Sequence, residues 1–137
     1  MNEPLTDGIP TQERRDAWIH AFRQIGEYPE PTDRTGKWLI WIAAQNIDRY
    51  WQIIKDAVEQ GRLGDEAKVS TALKPQARAG KPYVICVYTY DYEDEADVMR
   101  VRQVLRELGI QREIIYKADE DTLAMRYGSN YTPKYRA

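Results

Sequence analysis

Apolar and polar positions along this chain follow two periods in alternation. Four short apolar runs stand out: Lys37–Ala43, Ala67–Ala72, Tyr83–Thr89 and Glu113–Tyr116. The runs at 37–43 and 83–90 are apolar on both faces, as central strands are, whereas Ala67, Val69 and Thr71 alternate with Lys68, Ser70 and Ala72, as expected nearer an edge. Between the runs lie two stretches of helical period. Ile47, Tyr50, Trp51, Ile54 and Val58 fall on one face of a helix expected to start at an Asn46 cap and close at Gly61. Val98, Val101, Leu105 and Leu108 form the stripe of a second, ending at Gly109-Ile110 in the manner of a Schellman cap. Asp91, Glu93, Asp94, Glu95 and Asp97 cluster at its start, where negative charge suits the helix dipole.

The segment from Gly36 to Tyr116 therefore reads β-α-β-β-α-β. Each helix carries one apolar stripe and packs on one side only. The economical solution is an α+β fold of two layers, a mainly antiparallel curved sheet with its helices on one face. Upstream, Trp18, Ala21, Phe22 and Ile25 recur at helical spacing, which predicts an N-terminal helix from Thr11 to Gly26. Tyr28–Asp33, with Pro29 and Pro31, is a linker. Residues 1–10 are expected to be a flexible leader, and 11–137 one domain with its core over 36–117. The tail after Ser129 either folds back over the sheet or frays.

A chain of 137 residues suffices for one such domain. Four tryptophans and ten tyrosines stand against one phenylalanine, so the aromatics carry polar tips suited to half-buried positions. A net charge of −2 is poorly matched to wrapping duplex nucleic acid. The single cysteine, Cys86, lies mid-strand and is read as a buried, inert thiol in a reducing compartment. No apolar run reaches the length of a membrane span and no signal-peptide layout opens the chain, so a cytoplasmic location is expected.

Candidate chemistry centres on lysines placed in or beside strands. Lys37, Leu39 and Trp41 share one strand face, as do Lys68, Ser70 and Ala72. If both sets line the face that the helices leave open, two ammonium groups and an indole converge on a cradle for a phosphate or carboxylate. Lys117, at the end of the last strand, joins them, and Arg126 and Tyr127 follow directly and would close one end. The alternative is that these lysines solvate strand ends and blunt an edge. The only histidine, His20, belongs to the expected first helix, away from the strand cluster, and the chain has one Cys and one His where a zinc site needs several. Glycine-rich phosphate loops are absent, and no cofactor or metal is implied.

Five segments together resemble a known family: Gly36–Ile40; Gly61–Gly64 with Ala67–Val69; Val84–Asp91; Asp97–Arg102; and Tyr116–Thr122. They are similar to the Bles family, named for a basophilic-leukaemia-expressed protein, over roughly residues 36–128. The resemblance implies a fold like that of the eukaryotic cap-binding initiation factor, a curved antiparallel sheet backed by helices. It also implies a test of the phosphothreonine-lyase label that many members carry. Such lyases use a Lys-x-His pair on one strand, lysine as base and histidine as acid, and here Lys37-Trp38-Leu39 places leucine where the histidine would stand. The resemblance thus leaves Lys68 or Lys117 as the candidate base and His20 as the sole substitute for the acid. A cap-type ligand needs two aromatic walls; Trp38 and Trp41 point to opposite faces, leaving Trp41 with a tyrosine or with Trp51.

Three functional readings follow: a module binding a small phosphorylated or nucleotide-like ligand on the open sheet face; a lysine-dependent lyase; and a protein-interaction domain without a small ligand.

Overall fold

The structure, a computed structural model, describes residues 8–125 and 131–137. Six strands form one curved antiparallel sheet in the order β1-β3-β4-β2-β5-β6. They are β1 (Trp18–Phe22), β2 (Gly36–Ile42), β3 (Glu66–Ser70), β4 (Tyr83–Thr89), β5 (Ile115–Ala118) and β6 (Tyr135–Arg136). Two long helices, α1 (Ala44–Glu59) and α3 (Glu95–Glu107), bury their stripes against one face of the sheet, closing a core around Trp38, Ile40, Ile54, Ile85 and Leu105. Two short helices, α2 (Pro75–Arg78) and α4 (Asp119–Leu123), sit instead at the rims of the other face.

Helix ends follow from local chemistry. The Asp94 carboxylate caps α3 by accepting the Asp97 N–H at 3.1 Å. At the far end Gly109, with φ of +107°, and Ile110 donate to the carbonyls of Arg106 and Leu105, which is the Schellman arrangement. Helix α1 starts two residues before the expected Asn46 cap. Extended Ala43 opens it without any side-chain cap, and the Asn46 N–H already belongs to the first turn, donating to the Ala43 carbonyl.

The expected N-terminal helix is not formed. Residues 18–22 are instead an edge strand, pairing antiparallel with β3 from Trp18↔Ser70 to Phe22↔Glu66. The same residues satisfy both periods. As a strand, Ile19 and Ala21 face the core while Trp18, His20 and Phe22 share the opposite face. Pairing with an otherwise open β3 outweighs a narrow helical stripe. Strand β5 runs two residues later than the expected 113–116, and the tail folds back along it. There Arg102, 2% exposed, donates to the carbonyls of Ala137, Ile110 and Arg112 at 3.0, 2.8 and 2.7 Å.

Candidate ligand-binding face

Strand alternation assigns the face that α1 and α3 leave uncovered. From β1 to β5 it carries Trp18, His20 and Phe22; Glu66, Lys68 and Ser70; Val84, Cys86 and Tyr88; Lys37, Leu39 and Trp41; and Ile115 and Lys117. Lys37, Lys68, Lys117 and Trp41 thus lie on one face, while Trp38 and Trp51 are fully buried on the other side of the sheet. Trp51 is therefore not available as a second wall for Trp41.

Another tryptophan is. Along one end of the face, Trp18 lies opposite Ser70, Ser70 accepts the Val84 N–H through its Oγ at 2.9 Å, and Val84 lies opposite Trp41. Two indoles therefore bound a floor of one small and one medium side chain. They line a cleft of about 370 Å³ together with Lys74, Ala77 and Pro82. Trp41 is 51% exposed, and its carbonyl is held by the Arg112 guanidinium. Trp18 escaped notice in the sequence because the helical reading gave it to a core stripe, and Lys74 because it lies outside every apolar run.

The cationic groups divide into two sets. At the cleft, the Lys68 and Lys74 ammonium groups lie 4.0 and 4.1 Å from the centre of the Trp18 ring. Neither has a carboxylate within ion-pair range among the described residues. Burial first, and the charge of Lys68 second, pull the Lys74 ammonium below its ordinary pKa.

At the opposite end, Lys37 is 7% exposed and donates to Asp119 Oδ1 at 2.7 Å and Thr122 Oγ1 at 2.8 Å. Asp119 also accepts from the Thr35 hydroxyl at 2.7 Å. The Lys37 charge is thus met within the chain. Lys117 lies directly across the strands from Lys37 and is 6% exposed, with its ammonium 5.1 Å from the Tyr131 ring centre. Burial first, then Lys37, lowers its pKa, and Asp121 opposes the shift. Arg126 and Tyr127 lie outside the described residues.

Two residues in the middle of the face complete the geometry. Cys86 lies between Lys68 and Leu39, and burial pushes its thiol up to about 11 despite the surrounding lysines, so the thiolate is not available at neutral pH. His20 is not remote from the strand cluster, as expected of a first helix. It lies directly across from Lys68, with its Nδ1 2.8 Å from Glu66 Oε2.

Comparison with known proteins gives the same architecture. The model of the family described as basophilic leukemia-expressed protein Bles03 matches residues 23–123. Among solved structures, schistosome eIF4E complexed with m7GpppA and 4E-BP superposes with a TM-score of 0.59 at 17% identity, over 77% of this chain and 60% of that one. Caenorhabditis elegans eIF4E-3, in complex with the 4E-binding protein Mextli and a cap analog, gives 0.58 at 23% identity, over 76% of this chain and 57% of that one. Ascaris suum eIF4E-3 with m7G cap gives 0.58 at 18% identity, over 87% and 67%. The chain thus spans about 60% of the length of the schistosome protein, and the likeness is one of fold.

Proposed function

We propose that this chain, which belongs to the Bles03 family, binds a small nucleotide-like ligand on its open sheet face, in the cleft between Trp18 and Trp41. One observation carries the reading: two ammonium groups with no carboxylate partner among the described residues share the Trp18 ring at the edge of a cleft whose other wall is a half-exposed indole. Two uncompensated, partly buried cations are costly unless an anion joins them. A phosphate bridging Lys68 and Lys74 supplies that anion, and a planar base then lies against Trp41. The cap nucleotides named for the structural neighbours support a ligand of this class, although fold likeness alone assigns none.

Titration with nucleoside triphosphates, methylated and unmethylated on the base, tests this through quenching of tryptophan fluorescence and thermal shift. Ligand at about one hundred times its Kd stabilises the protein by about 2.7 kcal/mol. Trp41→Ala and Lys74→Met each weaken binding about tenfold or more. Absence of any shift at millimolar nucleotide overturns the reading.

A second reading, elimination of phosphate from a phosphothreonine-type substrate, is favoured by the placement of His20 across from Lys68 with Glu66 on its Nδ1. Lys68 would take the Cα proton, and His20, oriented by Glu66, would protonate the leaving phosphate. Incubation with phosphothreonine peptides decides it, by loss or retention of the mass of phosphoric acid.

A further inference from the structure

The two walls of the cleft differ in charge. Trp18, Ser70, Val84 and Trp41 stand on four neighbouring strands, so three interstrand spacings of about 4.8 Å part the two indoles at their backbones by roughly 14 Å. A base in contact with both rings needs only about 7 Å. The added width is taken up at one wall, where the Lys68 and Lys74 ammonium groups lie over the Trp18 ring and Lys74 also lines the cleft. The half-exposed Trp41 ring is the wall left for stacking. Carboxylates are missing from the lining among the described residues. Apart from the two indoles, every lining residue belongs to the segment 67–90, which holds Lys68, Lys74, Arg78 and Lys81 and no acidic side chain. Burial and then the charge of Lys68 lower the Lys74 pKa, and no carboxylate is among the groups that act on it. Burial and then Asp48 raise the pKa of Tyr83, a lining residue. The Asp48 carboxylate, however, already accepts from the Thr11 N–H and hydroxyl at 3.0 and 2.5 Å, and Arg14 opposes its effect.

We infer that the cleft selects a nucleotide whose base is uncharged and discriminates against one whose base carries a fixed positive charge, such as an N7-methylated purine. This rests on the nucleotide reading above and adds to it the charge of the base. A cationic ring is drawn to open aromatic faces, and here one of the two is already covered by ammonium groups. Its charge enters the cleft with no carboxylate to meet it and with like charges on the far wall, an arrangement that is costly where water is displaced. A phosphate bridging Lys68 and Lys74 offsets their charge but gives the base no partner. A neutral base stacks on Trp41 without that cost.

Tryptophan-fluorescence titration of the full chain, at mildly acidic pH and constant ionic strength, tests the inference with three probes. They are GTP; N7-methyl-GTP, whose base is cationic; and 7-methyl-7-deaza-GTP, which has the same outline without the charge. GTP and the deaza analogue bind alike, and N7-methyl-GTP binds about tenfold or more weaker. Gln76→Glu, at an exposed position in the lining, gives the charge of the base a partner and narrows that gap. Failure of all three probes to bind overturns the nucleotide reading and this inference with it. Binding of N7-methyl-GTP as tight as that of GTP leaves the nucleotide reading standing and overturns the inference alone. So does equal weakening of both methylated probes, which assigns the effect to shape, or a gap that Gln76→Glu leaves unchanged.

Discussion

The ring of Tyr116 lies over the backbone of Gly36, so close that a Cβ there would stand 2.5 Å from Tyr116 Cε1 and 2.6 Å from its hydroxyl. The same hydroxyl shares a hydrogen bond of 2.6 Å with Thr89 Oγ1. Gly36 opens β2 on the core face, so the glycine is required by the approach of a ring from the next strand. Gly36→Ala forces the ring outward and breaks the buried bond to Thr89. Overpacking and the lost bond together cost about 2–4 kcal/mol. Chemical denaturation measures this, and Tyr116→Phe, which loses the bond alone, costs about 1–2 kcal/mol.

Arg102, itself 2% exposed, ties α3 to the chain end and to the segment before β5 by donating to the carbonyls of Ala137, Ile110 and Arg112. Arg102→Lys supplies one compact charge in place of a planar fork and leaves at least one carbonyl unmet. A loss of about 2–3 kcal/mol is expected. Hydrogen exchange distinguishes this from a general weakening: the amides of Ile114 and Ala137, which bond each other's carbonyls at 2.9 and 3.0 Å, lose protection first.

Much of the architecture is written in the apolar periods, and the failures have specific causes. Strands β2 and β4 and helices α1 and α3 lie within a few residues of their predicted places, because each carries seven or more residues of unmixed pattern. β1 was ambiguous: Trp18, Ala21, Phe22 and Ile25 fit a helix as well as Ile19 and Ala21 fit a strand, and only the presence of an unpaired β3 edge decides between them. Helices α2 and α4 and strand β6 are too short to impose a period. At the site, the shared face of Lys37, Lys68 and Trp41 follows from strand alternation. The neutralisation of Lys37 does not, because Asp119 lies in a short helix far along the chain. Nor does the indole of Trp18, whose place on this face depends on β1 being a strand.

The acid limb of stability is expected to depend on Asp91. Arg34 grips its carboxylate with two bonds, Nε to Oδ1 at 3.0 Å and Nη2 to Oδ2 at 2.5 Å, and holds its pKa below the ordinary value; the Glu93 N–H adds to the effect. A group whose folded pKa is depressed gives stability that is complete above its unfolded value, about 3.9, and is lost as pH falls through the folded one. Asp91→Asn keeps the volume and one acceptor for Glu93. Its urea midpoint is lower than wild type at pH 7, and the gap narrows below about pH 4. A gap of constant size would mean that the pair contributes through shape and not charge.

The two lysine sets predict opposite behaviour when each is neutralised. Lys37 is buried and bonded to Asp119 and Thr122, so Lys37→Met leaves a partly buried carboxylate with only the Thr35 hydroxyl among the described residues. A loss of about 2–3 kcal/mol in folding stability follows, moderated by the partial exposure of Asp119. Lys74 has no such partner among the described residues, and its ammonium is held near the like charge of Lys68. Lys74→Met therefore changes stability by no more than about 0.5 kcal/mol, and relief of the repulsion favours a small gain. Ligand binding reverses the order. If the anion sits between Lys68 and Lys74, Lys74→Met weakens nucleotide binding about tenfold or more, while folded Lys37→Met protein retains it. Denaturation and fluorescence titration on the two variants give four measurements. Loss of binding in Lys37→Met with retention in Lys74→Met would move the anion to the far end of the face, beside Lys117.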